Sequence, residues 1–124
     1  MVNPISEEQM AVYRQAAKQR AQERLRSRQS RHQRGWEIAQ QAAQILKQQY
    51  GADKVAVFGS MLSSDRVHEQ SDLDLAVWGL DKRLYYEAIS RLLDLDPSIS
   101  IDLVEVETVR PKIQAVIERE GVLL

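Results

Sequence analysis

Two aspartates stand one residue apart in a stretch that is otherwise hydrophobic, Asp72 and Asp74 within SDLDLAVWG. Aspartate is depleted in β-strands because its short polar side chain competes for nearby backbone groups. In a strand, side chains alternate between the two faces of the sheet, so both carboxylates would point the same way. Two neighbouring carboxylates repel each other, and a divalent cation between them reverses that penalty. The spacing therefore predicts a metal site, and its oxygen ligands favour magnesium.

A third acid and a glycine–serine turn occur where the same site could use them. Asp102 interrupts the apolar run SISIDLVEV, so we expect it on an adjacent strand, within reach of Asp74. Gly59 and Ser60 follow the strand-like KVAVF. Glycine lets the backbone approach a phosphate closely, and the serine hydroxyl and the next amides can donate to phosphate oxygens. One such turn is usually only a turn, but with acids on the successive strands it predicts a site for a phosphate compound and its metal.

The elements that must position these residues predict an α+β fold. Hydrophobic periodicity changes from helical to strand-like near residue 54 and then alternates between the two. The predicted order is helix 6–34, helix 36–50, strand 54–58, strand 72–78, helix 81–95, strand 98–106 and helix 110–120, with VLL at 122–124 as a tail or an edge strand. We expect a small mixed sheet covered by helices on one face, which leaves the other face open for the acids.

Two glycines border the second predicted helix. Gly51 suits the left-handed position that ends a helix. Gly35 precedes Trp36, and the sequence leaves open whether it breaks one long helix or is tolerated inside it. The segment before Gly35 is helix-forming in composition but carries only a thin apolar stripe, so we expect it to be weakly tied to the core. We therefore divide the chain into a basic N-terminal helical extension, 1–34, and a domain, 35–124.

The charge of the chain is distributed unevenly. Among 124 residues with a net charge of −1, residues 1–34 carry eight basic and three acidic side chains, whereas 35–124 carry nine and fifteen. An acidic body suits divalent cations, and we expect no direct nucleic-acid binding by it. The chain has no cysteine, no apolar run long enough for a membrane span and no apolar signal segment at its start. We therefore expect a cytoplasmic protein.

Arginines recur on one face of the first predicted helix, at Arg20, Arg24, Arg28 and Arg31. Like charges at this spacing disfavour a helix, so the pattern needs a reason. Two interpretations stay open: the face contacts an acidic partner or a phosphate, or it is simply solvated.

Gly59-Ser60, a spacer of eleven residues and Asp72-Leu73-Asp74 resemble the signature of the polymerase-β-like nucleotidyltransferases. Over about residues 36–124 the chain is similar to the minimal nucleotidyltransferases, the antitoxins that are paired with HEPN-domain RNase toxins. The resemblance implies transfer of AMP from Mg-ATP to a tyrosine hydroxyl of the toxin, which silences the RNase. The implied partner is therefore a cognate HEPN toxin in a hetero-oligomer, with no membrane involved.

The resemblance also implies a role for each of the five residues. Asp72 and Asp74 would hold two magnesium ions on the ATP phosphates, and Asp102 would complete the site and help deprotonate the acceptor hydroxyl. Gly59 and Ser60 would hold the β- and γ-phosphates. Charge neutralisation by two closely spaced metals would supply most of the acceleration.

The turn departs from the family pattern in the residues that follow it. Many relatives continue with a small residue, a basic residue and a second glycine, where this chain has Met61, Leu62 and Ser63. Arg66 is a nearby candidate to replace the missing basic side chain. One alternative is a catalytically weak antitoxin that binds its toxin stoichiometrically, although a pure binder has little use for three repelling acids. Another is transfer to a small molecule such as an aminoglycoside, which generally needs an acceptor-binding domain for which 124 residues leave no room.

Overall fold

A helix of 44 residues, α1 (Glu7–Tyr50), begins the fold in the computed structural model, which describes residues 6–68 and 70–124. Its first turn is closed by a capping box, in which the Gln9 amide donates to Ser6 Oγ and the Ser6 amide donates to the Gln9 side chain. Gly51 ends the helix with a φ of 71°, as predicted. In these two described ranges, no helix has both the length and the apolar character that crossing a membrane requires.

Gly35 does not break this helix, which answers the question that the sequence left open. The side chain of Met61 packs against Gly35 where a Cβ atom would stand, so a larger residue would push the two segments apart. Before Gly35 the helix is almost entirely exposed, and after it the helix buries one face in the core, at Ile38, Ala39, Ala42, Ala43, Ile45 and Leu46. The division of the chain between residues 34 and 35 stays a prediction.

Four strands form one mixed sheet in the order β3-β2-β1-β4. The strands are β1 (Lys54–Phe58), β2 (Leu73–Trp78), β3 (Ile101–Glu105) and β4 (Val122–Leu123). β1 runs antiparallel to β2 and to β4, whereas β2 and β3 are parallel. The parallel pair needs a crossover, which helix α2 (Tyr85–Leu93) provides. The mixed α+β fold is thus as predicted, and the C-terminal VLL contributes an edge strand.

Helices pack on both faces of this sheet. On one face, α1 and α2 cover the apolar side chains of the central strands, which are Val55, Val57, Leu73, Leu75, Val77 and Leu103. Helix α3 (Pro111–Glu120) buries Ile117 against Ala56 and Ala76 on the other face. The expectation of helices on one face therefore holds for α1 and α2, whereas α3 covers part of the face that was expected to be open. Asp74 and Asp102 lie on this second face, at the end of the sheet away from Trp78.

Candidate active site

Strand pairing brings Asp74 and Asp102 together. The register of the parallel pair places Asp74 of β2 directly opposite Asp102 of β3. Neighbouring strands lie about 4.8 Å apart, so the two carboxylates share one small region of the second face. On the other side of Asp74, the antiparallel register places Phe58, the residue before Gly59. The expectation that Asp102 lies within reach of Asp74 is confirmed.

Asp72 lies just outside the sheet. The predicted strand 72–78 begins one residue later, at Leu73, because Leu73 is the first residue to pair with β3. Asp72 is exposed, Leu73 is fully buried and Asp74 is half-buried, so burial alternates as expected along this stretch. In the described part of the chain, no three His, Cys, Asp or Glu side chains already stand as a closed metal cage. Because Asp72 and Asp102 are both exposed, their side chains have room to turn toward a cation.

The carboxyl group of Asp74 is the most perturbed acid of the site. Burial, followed by the nearby charges of Asp102 and Asp72, raises the pKa of Asp74 from 3.8 to about 6. Its ionised form is therefore costly in the protein alone, and a divalent cation would remove that cost. A half-buried carboxylate with two exposed carboxylates beside it is an all-oxygen donor set, which fits magnesium.

The turn at Gly59 is pressed against Asp74. Gly59 has a φ of 77°, in the left-handed region that favours glycine. A Cβ atom added there would also overlap a carboxylate oxygen of Asp74 and lie 3.2 Å from its Cγ. Two independent constraints thus require glycine at this position, and they place the backbone of the turn directly beside the acids. Ser60 follows it and is half-buried.

The residues after Ser60 do not form an α-helix. They form two short 3-10 helices, Gly59–Leu62 and Ser64–Arg66, so no extended row of helix amides faces the acids. Met61 is fully buried in the core, and Leu62 packs against it at the edge. The departure from the family pattern is thus explained in part by packing, because Met61 fills the space beside Gly35. Arg66 is exposed at the end of the second 3-10 helix, and its part in phosphate binding stays a prediction.

Two side chains of α1 hold the loops on either side of the site. The Trp36 indole Nε1 donates to the Met61 carbonyl oxygen at 2.8 Å, directly after the Gly59–Ser60 turn. Arg31 donates to the carbonyl oxygen of Ser71 at 2.9 Å, one residue before Asp72. Sequence reasoning missed both anchors, because their acceptors are backbone carbonyl groups that no residue type reveals.

A third anchor supports the open edge of β3. The Tyr85 hydroxyl donates to the Leu103 carbonyl oxygen at 2.7 Å, next to Asp102. Burial, followed by the charges of Glu105 and Asp102, raises the pKa of Tyr85, so this hydroxyl keeps its proton for the hydrogen bond. Such a contact fixes the backbone that carries Asp102.

The chain was also compared with models of protein families. The model of the family described as "Polymerase beta, Nucleotidyltransferase" matches residues 40–124. The matched range contains all five predicted site residues, from Gly59 to Asp102, and all four strands of the sheet. No curated protein matches the chain in sequence.

Solved structures with a similar fold were also found. A candidate minimal nucleotidyltransferase is 25% identical, with a TM-score of 0.53, over 81% of this chain and 95% of that one. A chain from a toxin–antitoxin crystal structure with AMP-PNP is 20% identical, with a TM-score of 0.55, over 67% and 69%. A chain from the MntA–HepT toxin–antitoxin structure is 18% identical, with a TM-score of 0.53, over 69% and 68%. At these identities the last two similarities establish the fold alone.

Proposed function

The chain belongs to the polymerase beta nucleotidyltransferase family, and we propose on that basis that it is an antitoxin that transfers AMP from Mg-ATP to a tyrosine hydroxyl of a cognate HEPN RNase toxin. The observation that carries the proposal is the pairing of Asp74 with Asp102, beside the close approach of Gly59 to Asp74. The partner class is supported by similar folds in two structures described as toxin–antitoxin complexes, one of them with AMP-PNP. A cytoplasmic location, where ATP is available, is part of the proposal.

Each of the five residues has a defined task in this proposal. Asp72, Asp74 and Asp102 hold two magnesium ions, and the backbone at Gly59 with the Ser60 hydroxyl holds the β- and γ-phosphates. Magnesium bound there supplies charge neutralisation on the triphosphate. The half-buried Asp74 provides the fixed carboxylate, whereas the exposed Asp72 and Asp102 adjust to the ligand.

The proposed transfer is a single in-line displacement. Asp102 takes the proton of the acceptor hydroxyl, because it is the exposed acid on the outer strand and is therefore open to a partner protein. The acceptor oxygen forms a bond to the α-phosphorus as the bond from that phosphorus to the bridging oxygen breaks. The products are an AMP-tyrosine ester and pyrophosphate, which leaves with the bonding electron pair.

A stoichiometric antitoxin is the second candidate function. One observation favours it: the apolar Met61 and Leu62 occupy positions where many relatives have a small and a basic residue, and both pack with the core. Under this alternative the fold would still dock on the toxin, and the three acids would not be needed for neutralisation.

Labelled ATP separates transfer of AMP from other outcomes. The chain is incubated with its toxin, magnesium and ATP labelled at either the α- or the γ-phosphate. The proposal expects label on the toxin from α-labelled ATP only, and none after chelation of the metal. Label from γ-labelled ATP would indicate phosphorylation and contradict the proposal.

The matched variants are Asp72→Asn/Asp74→Asn and Asp94→Asn. Asp94 is exposed at the C-terminal end of α2, outside the site, and its substitution makes the same Asp-to-Asn change once, whereas the test variant makes it twice. Loss of label and of neutralisation in the first variant alone supports the enzyme. Neutralisation that persists in the first variant supports the stoichiometric binder.

A further inference from the structure

A cavity of about 420 Å³ lies between the middle of α1 and the loop that leads into β2. Its lining consists of Arg24, Ser27, Arg28, Arg31, His68 and Gln70. None of these described residues carries a carboxylate, and three of them are arginines. The volume falls in the range of small-molecule sites, so the cavity has the size and the charge for a small anion.

The position of the arginines distinguishes this cavity from an ordinary solvated helix face. Arg24, Arg28 and Arg31 lie on successive turns of α1, where their mutual repulsion disfavours the helix. A solvated face would be open to water on all sides, but this one faces a second wall formed by His68 and Gln70. Guanidinium groups recognise phosphate through paired, charge-assisted hydrogen bonds, so an anion between the walls would relieve the repulsion.

Arg31 forms the fixed end of the cavity. Its two terminal nitrogens donate to the carbonyl oxygens of Ser98 and Ser71, at 3.3 and 2.9 Å. Its Nε is buried and has no acceptor among the described residues. Arg24 and Arg28 are exposed, so these two arginines are able to close on a ligand while Arg31 keeps its place.

Hydrogen bonds position the two described residues of the second wall, His68 and Gln70. The His68 amide donates to the buried Ser71 hydroxyl at 2.8 Å, and the Gln70 amide donates to His68 Nδ1 at 3.2 Å. These contacts hold the backbone of His68 and Gln70, whose side chains line the cavity. The same loop ends at Ser71, immediately before Asp72.

We propose that this cavity binds a polyphosphate anion, either inorganic polyphosphate or the phosphate chain of a nucleotide, at a site separate from Asp72 and Asp74. Its chemistry is opposite to that of the acids, because arginines attract phosphate without a metal and carboxylates repel it. Binding in the absence of metal therefore reports on this cavity and does not depend on the proposed transferase activity.

Calorimetric titration of the full chain with inorganic pyrophosphate, in buffer with EDTA, tests the proposal. One binding site is expected. Arg24→Gln/Arg28→Gln should weaken its affinity at least about tenfold, because the loss of even one charge-assisted hydrogen bond corresponds to about that factor. The matched control is Arg14→Gln/Arg26→Gln, which removes two exposed charges of the same helix that do not line the cavity. This control should keep its affinity to within about twofold.

Asp72→Asn/Asp74→Asn separates the two sites and identifies the source of the phosphates. Pyrophosphate binding should persist in this variant, and loss of binding would overturn the proposal. In the same variant, metal-free ATP that binds more tightly than pyrophosphate would assign the cavity to a nucleotide, whereas equal affinities would assign it to the polyphosphate itself. Absence of binding by both probes, or equal weakening by both arginine pairs, would contradict the proposal.

Discussion

At the scale of single residues, Asp74 destabilises the fold when it is ionised and is a proposed metal ligand. It lies near the start of the inner strand β2, half-buried, beside a second carboxylate that the register places opposite it. Its raised pKa, about 6, shows that the protein alone does not stabilise its charge. A carboxylate that destabilises the metal-free fold is expected at a site where a ligand supplies a compensating positive charge.

Replacement of Asp74 by asparagine should stabilise the metal-free protein. The pKa of Asp74 is higher in the folded chain than the unfolded value of 3.8, so its contribution to stability is present below pH 3.8 and is lost as the pH rises through about 6. Asp74→Asn should therefore raise the free energy of unfolding at pH 7.5 by about 1 kcal/mol, a value reduced for solvent screening. Urea denaturation with EDTA at pH 4.5 and 7.5 measures it.

The difference in free energy of unfolding between Asp74→Asn and the unmodified protein should be smaller at pH 4.5 than at pH 7.5. Asp94→Asn, the exposed control, should show no such dependence. A gap that is the same at both pH values would mean that burial does not destabilise the Asp74 carboxylate.

Gly59→Ala should cost more stability than Gly51→Ala. Both glycines have nearly the same positive φ, 77° and 71°, so each substitution carries the backbone penalty of about 1–2 kcal/mol. A Cβ atom at Gly51 meets no other atom within 4 Å, whereas one at Gly59 overlaps Asp74. The added overlap should cost about 1–3 kcal/mol more and abolish transfer. Equal losses, with full activity in Gly59→Ala, would show that the turn is not pressed against the acid.

At the scale of elements, strands and helices could be predicted from periodicity, but the contacts that connect them could not. The limits of β1 are those that KVAVF predicted, and Gly51 ends α1 as its conformation suggested. The prediction for α2 was too long because residues 82–84 form a 3-10 turn. The continuity of α1 through Gly35 depends on Met61, which is distant in sequence.

Trp36→Phe should loosen the turn that follows β1. The substitution keeps an aromatic ring but removes the indole N–H, which donates to the Met61 carbonyl oxygen at 2.8 Å and, at 3.1 Å, to His32 Nε2. Its loss should lower the free energy of unfolding by about 1 kcal/mol. Transfer activity should fall as well, since Met61 follows Gly59 and Ser60. The control is Trp78→Phe, because the Trp78 indole nitrogen makes no hydrogen bond within the described residues. Chemical denaturation and a transfer assay on both variants test this prediction. Equal losses of stability and activity in Trp36→Phe and Trp78→Phe would mean that the hydrogen bond is unimportant.

At the scale of the whole molecule, the topology explains how Asp102, which is distant in sequence from Asp72 and Asp74, can serve the same site. The parallel crossover places Asp102 beside Asp74, and α3 covers part of that face at Ala56 and Ala76, while Asp102 stays exposed. Spacing and residue type sufficed to predict the five site residues, because a magnesium site needs carboxylates and a close phosphate contact needs glycine. The face chosen by α3 could not be predicted, since an amphipathic helix does not reveal which side of a sheet it covers.

The basic half of α1 gives the molecule a second region of opposite charge. It extends beyond the core, and its arginines line a cavity whose other wall leads to Asp72. The sequence left open whether these arginines bind a ligand or are simply solvated. The loop that faces them in the structure favours ligand binding. The chain thus combines an acidic site at the end of its sheet with a basic cavity at its edge.

The intact mass of the cognate toxin, before and after incubation with this chain and Mg-ATP, shows whether AMP is transferred. We expect mass gains in whole steps of AMP, located on tyrosine by peptide fragmentation. The gains should be absent with Asp72→Asn/Asp74→Asn and present with Asp94→Asn. A toxin that starts unmodified, forms a tight complex, is neutralised and gains no mass would contradict the claim and identify the chain as a stoichiometric binder.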